Sequence, residues 1–448
     1  MMPQPPRTAR TVAERSGPRM YFHTFGCKAN QYDTERMRQE GEARLARTVE
    51  SWAEADVCVL NTCTVTNAAD ASARRLIRRI RRENPEAKVV VAGCSAALKA
   101  DAYRSMDEVS GVVEGHDPVA VAGAAVSALP RPVQIEVRAG LDRIHGEPIG
   151  GELLRRRRGM SRGWLKIQDG CDRKCSFCAT RLARGASRSR SPDEIVAEAR
   201  LLARTHPELV LTGIHIGHYG RDLEPRWTLS RLTARLLDAV AEVRFRLGSV
   251  EATEIDDLLL ELLETSGGRV VPHLHMPLQS GADPVLRRMR RWHTREQYRD
   301  RVLEIAGRVH PLGLGADVIT GFPGETDADH ARTRALVEEL PFTYLHVFPY
   351  SPRDGTAATE LSDPVPERVA GERSRELREL AQAKGRAYRQ GRVGADARVV
   401  VEVGGEQALT GDYLRVGVRG SPPDGAGGVV PGTLQGDGDH LYIAWPRV

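Results

Sequence analysis

Three cysteines fall in the single run Cys171-Asp-Arg-Lys-Cys175-Ser-Phe-Cys178, just past a stretch that reads as a β-strand ending near Gln168. Three thiolates this close can hold three corners of a four-iron cluster and leave one iron without a protein ligand. That open corner can bind a substrate or cofactor and do chemistry on it, which a fully ligated electron-transfer cluster cannot. Zinc is the alternative occupant, but it prefers paired CxxC knuckles and a fourth protein ligand.

The surrounding chain alternates strands and helices. Over residues 19–128, short apolar strands near 19–24, 56–60, 88–92 and 110–113 are separated by helical stretches near 31–45, 67–84 and 95–104. That order predicts a parallel sheet covered on both faces, a flavodoxin-like layer structure. Periodicity is lost over 129–160, which reads as a linker ending in the run Arg155 to Arg158. A second alternation occupies 161–387, with strands near 163–168, 208–213, 243–250, 270–276, 313–320 and 342–348. A helix over 191–205 is opened by Ser191-Pro192-Asp193-Glu194. Six βα units predict a partial or full α/β barrel. The last segment, 388–448, has short β-like runs parted by Gly, Pro and Asp, and reads as a small all-β module.

At 448 residues the chain has room for two or three domains with proper cores. Residues 1–18 are rich in Pro, Arg and Ser with no apolar segment, which reads as a disordered tail rather than a secretion signal. No apolar run reaches the length of a membrane span. The net charge of +5 is compatible with a polyanionic partner without demonstrating one. Seven cysteines without an export signal point to a reducing compartment, where thiols serve metals or catalysis.

Three further cysteines share one kind of position. Cys27, Cys63 and Cys94 each follow a predicted strand of the first domain, with 35 and then 30 residues between them. In an open α/β sheet the carboxyl ends of the strands line one ligand-binding edge, so these thiols are expected to converge as a second three-thiolate site. Cys58, inside an apolar strand, reads as a small buried hydrophobe instead.

Two three-cysteine sites in this order, followed by a β module, resemble the radical S-adenosylmethionine (SAM) methylthiotransferases over nearly the whole chain after residue 18. The resemblance is carried by Phe25 to Glu35 (FGCKANQYDTE), Asn61 to Thr66 (NTCTVT), Ala183 to Arg190 (ARGASRSR), Leu278 to Ala282 (LQSGA) and Gly315 to Thr326 (GADVITGFPGET). The first of these, with Leu211 to Gly217 (LTGIHIG), looks like the branch acting on threonylcarbamoyladenosine in tRNA. Relatives in the wider family act on isopentenyladenosine in tRNA or on a ribosomal-protein aspartate.

That resemblance implies a flavodoxin-like N-terminal domain, a central radical SAM partial barrel and a C-terminal TRAM-like β-barrel. It implies two [4Fe-4S] clusters, one on Cys171, Cys175 and Cys178 that cleaves SAM, and an auxiliary one on Cys27, Cys63 and Cys94 that carries the sulfur. One SAM would methylate that sulfur; a second would yield a 5′-deoxyadenosyl radical to abstract hydrogen from C2 of the adenine. A tRNA substrate, an electron-donor protein and a cytoplasmic location follow. Acid–base residues are expected to be scarce, and none is assigned. Phe177, Gly213, Glu251, Gln279 and Gly321, all near the carboxyl ends of barrel strands, are expected at the SAM site.

His215 and His218 suggest structural or substrate contact rather than metal binding, with no carboxylate near them in sequence. His273 and His275, two apart on a strand, are expected to share the barrel interior. At least one of Arg184, Arg188 and Arg190, soon after the cysteine run, is expected to meet substrate phosphate or the SAM carboxylate, and the basic helix carrying Arg78 reads either as tracking tRNA phosphates or as a solvated amphipathic face. The β module runs against that trend: from Gly394 onward it has seven acidic and four basic residues, a net charge of −3. Tyr413, Tyr442 and Trp445 are offered as rings for base stacking or as its core. An iron–sulfur RNA-binding protein without catalysis is the competing reading, but such a binder has no need of an open iron.

Overall fold

The computed structural model describes residues 17–129, 153–422 and 428–445. The tail over 1–16 and most of the linker, 130–152, lie outside the described residues. The chain divides into two compact units. The first comprises residues up to Gly26, Asp33–Cys63 and Ala68–Asp142; the second comprises Cys27–Tyr32, Thr64–Asn67 and Arg143 onward.

The first unit is a five-stranded parallel sheet. Its strands are β1 (Arg19–Thr24), β2 (Arg47–Thr48), β3 (Val57–Thr62), β4 (Lys88–Gly93) and β5 (Gly111–Val112), in the order β2-β1-β3-β4-β5. The helices are α1 (Lys28–Ala43, whose first turn counts with the second unit), α2 (Asn67–Glu83), α3 (Cys94–Leu98), α4 (Ala100–Arg104) and α5 (Pro118–Ser127). Period-two alternation explains the two-sided cover. Cys58 and Leu60 of β3 pack with Ile77 and Ile80 of α2, while Val57 and Val59 pack with Met37 of α1 and Val121 of α5. Every residue of β3 is buried, so the strand is apolar from Val57 to Leu60 and its polar end, Asn61 and Thr62, is hydrogen-bonded.

In the second unit, β6 (Arg162–Lys166) leads into β7 (Gln168–Asp169), which pairs antiparallel with β8 (Arg188–Ser189). Then follow β9 (Glu208–Thr212), β10 (Arg244–Leu247), β11 (His273–His275), β12 (Gly313–Thr320) and β13 (Tyr344–Pro349). β6, β9 and β10 form one parallel sheet and β11, β12 and β13 another, joined by parallel bridges Phe245–Val270 and Ser249–His275. The result is a six-stranded partial barrel. Its outer helices are α6 (Thr180–Arg184), α7 (Pro192–Ala203), α8 (Leu229–Ala239), α9 (Asp257–Thr265), α10 (Asp283–Arg288), α11 (Arg295–Arg308), α12 (Asp327–Glu339) and α13 (Glu367–Gly391).

The C-terminal strands β14 (Asp396–Val401), β15 (Gln407–Thr410), β16 (Arg415–Arg419), β17 (Val429–Gly436) and β18 (Leu441–Ala444) close into a small barrel. It docks on the amino-terminal end of β10 through arginines. Arg244 donates to the carbonyls of Arg398 and Leu409, and Arg246 to those of Thr410 and Gly411. Both are ion-paired to the buried Glu208 of β9. Leu434 and Ile443 fill the small core with Trp445 packed at its edge, and Tyr413 stacks on His273 with ring centroids 4.2 Å apart. Tyr413 thus faces the larger barrel; Tyr442 lies under Arg419, whose guanidinium carbon is 3.6 Å from the ring centroid.

Candidate active site

The cysteine run is held by a loop closed at its base. Cys171 N–H donates to the carbonyl of Gly185, and Gly170 (φ 69°) needs its missing side chain, because a Cβ there would lie 1.9 Å from the Ala186 carbonyl oxygen. Gln168 ties the loop to the end of β9. Its Nε2 donates to the carbonyls of Asp169 and Gly170, and its Oε1 accepts from the amides of Ile214 and His215. At the far end, Ser176 donates its amide to the Met289 carbonyl and its hydroxyl to that of Arg288.

Cys171, Cys175 and Cys178 then line one cavity of about 180 Å³, with Phe177, Ile214, His215, Glu251, Gln279, Arg291 and Trp292. Burial pushes the Cys171 thiol up to about 11 and raises Cys175 as well. A cationic centre shared by the three thiols would offset the burial that resists ionisation of Cys171 and Cys175. The donor set therefore fits an iron–sulfur cluster with open space beside it.

Two partnerships here come from residues distant in sequence. Arg291 donates to Glu251 Oε2 at 2.6 Å, and its Nη1 lies 3.8 Å from Cys175 Sγ. Burial raises the Glu251 carboxyl even against that guanidinium. His215 Nδ1 lies 3.5 Å from Cys171 Sγ, and Glu254 supplies the carboxylate that the local sequence lacks: it takes His215 Nε2 at 2.8 Å, His218 Nε2 at 3.0 Å and Arg173 at 3.0 Å. Burial alone would raise the Glu254 carboxyl, but these hydrogen bonds and charges hold it well below the usual range. Arg173 and Arg291 both lie against the Trp292 ring, 3.7 and 4.1 Å from its centroid.

Phe177, Glu251 and Gln279 thus face the cavity, whereas the two glycines answer to close packing within the protein. A Cβ at Gly213 would lie 2.7 Å from the Gln168 carbonyl oxygen, and one at Gly321 (φ 70°) would lie 2.3 Å from Ala370 Cβ of α13. Arg184 is a correction: it is buried, ion-paired to Asp169 at 2.9 Å and bonded to Asn30, so its guanidinium is not offered to an RNA phosphate. Asp169 holds Lys166 as well, so burying Arg184 completes an internal charge group. Arg188 and Arg78 are exposed. Arg291, Trp292 and Glu254 were not singled out in sequence; the Arg-Arg-Trp run at 290–292 was the available signal for the first two.

In the first unit, Cys63 directly follows β3 and Cys94 opens α3 directly after β4; both are buried. Neighbouring polar groups fix these strand ends. Thr62 Oγ1 donates to the Ala92 carbonyl and accepts from Ala96 N–H, and Asn61 Nδ2 donates to Thr34 Oγ1. Gly93 (φ 95°) allows the close approach, since a Cβ there would lie 2.3 Å from Asn61 Oδ1. Cys27, exposed, follows β1 by three residues and opens the turn in which its carbonyl accepts from Gln31 N–H.

Residues 19–115 match the uncharacterized protein family UPF0004, and residues 165–337 match the radical SAM superfamily. The chain is 38% identical over 370 residues to the threonylcarbamoyladenosine tRNA methylthiotransferase MtaB of Bacillus subtilis strain 168, covering 82% of this chain and 81% of that protein. It is 31% identical to the MtaB of Treponema pallidum strain Nichols, over 94% of this chain and 99% of that one. The tRNA-2-methylthio-N(6)-dimethylallyladenosine synthase of Bacillus pumilus is 32% identical, over 82% of this chain and 72% of its own length. Among solved structures, the radical SAM methyltransferase TsrM from Kitasatospora setae superposes with a TM-score of 0.52 at 15% identity, covering 75% of this chain and 77% of that one, and shares the fold. With both domain matches and relatives of this identity spanning most of its length, the chain belongs to the radical SAM methylthiotransferases, in the threonylcarbamoyladenosine tRNA methylthiotransferase branch.

Proposed function

We propose that the protein adds a methylthio group to C2 of N6-threonylcarbamoyladenosine at position 37 of tRNA. The observation that carries the reading is the cavity in which Cys171, Cys175 and Cys178 stand beside open space walled by Phe177, Glu251 and Gln279. SAM and [4Fe-4S] clusters are the family's cofactors, and a cluster held by these three thiolates supplies the electron that cleaves SAM to a 5′-deoxyadenosyl radical.

The chain's own residues prepare that cavity. Glu251, fixed by Arg291, and Gln279 offer polar contacts to SAM, while Phe177 and Trp292 wall the site with aromatic surface. An aromatic C–H has no acidic proton for a base to take, so the site needs positioning and exclusion of water more than acid–base groups. Cys27, Cys63 and Cys94 hold the second cluster in this reading, each following a parallel strand of one sheet. Arg188 and Arg78 take tRNA phosphates, an electron-donor protein supplies the reducing equivalents, and the enzyme works in the cytoplasm. Among the described residues no helix is long and apolar enough to cross a membrane.

Mass spectrometry of tRNA nucleosides from a strain lacking the gene tests the proposal. Loss of the 2-methylthio form of threonylcarbamoyladenosine is expected. Its persistence, with loss of the isopentenyl counterpart instead, assigns the other tRNA substrate.

A further inference from the structure

The inner face of the half-barrel carries polar rings where a closed barrel packs branched apolar side chains. His275 Nε2 lies 3.2 Å from Asp317 Oδ2, and His346 Nδ1 lies 3.3 Å from Asp317 Oδ1. The Tyr344 hydroxyl meets His275 Nδ1 at 3.1 Å and His273 Nε2 at 2.8 Å, so the group is braced from behind. Both oxygens of Asp317 are therefore engaged, and the His346 side chain remains 55% exposed.

Asp317 also lines a second cavity, of about 150 Å³ and open to solvent, with Phe177, Gln279, Phe348 and Tyr350. Phe177 and Gln279 line the cysteine cavity too, so the two spaces adjoin at those side chains. Two features of this second cavity are not explained by folding. The Phe348 residue is 41% exposed, and the Tyr350 hydroxyl is buried with no hydrogen-bond partner among the described residues. An exposed ring in a cavity is a surface for a nucleobase to stack on. An orphaned hydroxyl on a residue that lines the same cavity as the Asp317 carboxylate calls for a ligand with hydrogen-bonding groups.

We propose that Asp317, His346 and Tyr350 form the subsite that takes the polar, anionic substituent on the target base, with Phe348 against the base itself. This rests on the substrate reading above, in which the substituent is a threonylcarbamoyl group. Asp317 accepts from its N–H groups, and the outward edge of His346 and the Tyr350 hydroxyl meet its carboxylate and hydroxyl. Because each Asp317 oxygen already has an imidazole partner, an incoming carboxylate meets a hydrogen-bonded group, with the outward edge of His346 between it and the anion, rather than a bare carboxylate. An isopentenyl substituent offers none of these partners and leaves the Tyr350 hydroxyl unpaired, which is how a polar site rejects an apolar analogue. The same three ligand atoms of His275, Asp317 and His346 lie within 4.8 Å of one another, a spacing that also suits a divalent cation. The adjoining aromatic wall and the Tyr350 hydroxyl favour the organic group.

The test is equilibrium binding of the cluster-loaded full chain to anticodon stem-loops bearing threonylcarbamoyladenosine, isopentenyladenosine or adenosine, with SAM left out. Wild type, His346→Phe, Asp317→Asn and Tyr350→Phe are compared, with iron content and circular dichroism as checks of folding. Replacement of His346 is expected to weaken binding of the threonylcarbamoyl stem-loop about tenfold, the size of one charge-assisted hydrogen bond, and the isopentenyl one by much less. Folded variants that all keep the wild-type ratio overturn the subsite. So does a stoichiometric divalent metal, beyond the cluster iron, that disappears in His346→Phe. A wild type with no preference for the threonylcarbamoyl stem-loop overturns the substrate reading itself.

Discussion

Arg246 and Glu208 form a two-point ion pair with neither residue exposed: Nε meets Oε1 at 2.8 Å and Nη2 meets Oε2 at 3.0 Å. Arg244 adds Nε to Oε2 at 2.7 Å, and the outer nitrogens of both arginines bond carbonyls of the C-terminal β-barrel. One carboxylate on β9 thus pairs with both guanidiniums that join the two barrels. Glu208→Gln leaves those charges buried without a partner. Breaking a buried pair in this way costs about 3–5 kcal/mol, so urea unfolding of the variant should show a midpoint well below wild type.

The same carboxylate predicts an acid response. Burial pushes its pKa up, but the charges of Arg246 and Arg244 and the hydrogen bond from Arg246 outweigh burial and take it down to about 2, from an ordinary 4.5. The folded state therefore binds this proton less readily than the unfolded one. The stabilisation is fully present above the unfolded value and is lost as pH falls from 4.5 toward 2. It is on the order of 3 kcal/mol at neutral pH. Urea titrations at a series of acidic pH values should show a steeper loss of stability in wild type than in Glu208→Gln. Parallel curves would assign the acid response to other groups.

Cys58 and Cys63 lie five residues apart with opposite expected consequences. Cys58 is fully buried in β3 among Leu60, Val89 and Ile77, and burial pushes its thiol up to about 12, so it stays protonated and packs as a hydrophobe. Cys58→Ala should leave iron content unchanged and cost about 1 kcal/mol of stability through the lost packing. Cys63→Ala, and likewise Cys27→Ala and Cys94→Ala, should remove about four irons per chain while leaving the cluster at Cys171 to Cys178 in place. Iron and sulfide assays on reconstituted protein, with the spectrum of the remaining cluster, check both expectations.

Strands β9 and β4 were readable because a parallel strand buried on both faces is an apolar run with no alternation to disguise it, as in Leu209 to Leu211 and Val89 to Val91. The cysteine run and the histidines of β11 were readable for a related reason: spacing alone puts them on one loop or one strand face. Strands β15 and β17 were missed, since β17 carries Pro431, Gly432 and Gly436 and is recognisable only by its pairing with β14 and β18. Partnerships between charges were the least legible. Arg184 looked like a surface cation until Asp169, 15 residues earlier, was seen beside it, and nothing in the chain near His215 announces Glu254, 39 residues on. Burial of a charge depends on which strand ends meet, and local sequence does not carry that information.

Arg291 brings such a partnership to the cysteine cavity. Its guanidinium bonds Glu251 Oε2 at 2.6 Å and the Pro277 carbonyl at 3.2 Å, and lies 3.8 Å from Cys175 Sγ. Arg291→Gln leaves Glu251 buried without its cation, at a cost of about 3–5 kcal/mol, readable as a lower urea midpoint of the protein without iron. In the loaded protein it also removes a positive charge beside a cluster thiolate. Donors and charges at the cluster sulfurs stabilise the reduced, more negative state, so the variant's reduction potential should fall below wild type in titrations followed by electron paramagnetic resonance. Arg291→Lys keeps the charge but loses the planar fork whose Nη2 serves Glu251 and Pro277 while Nη1 faces Cys175, and should lie between the two. A wild-type potential in Arg291→Gln would restrict Arg291 to holding Glu251 in place.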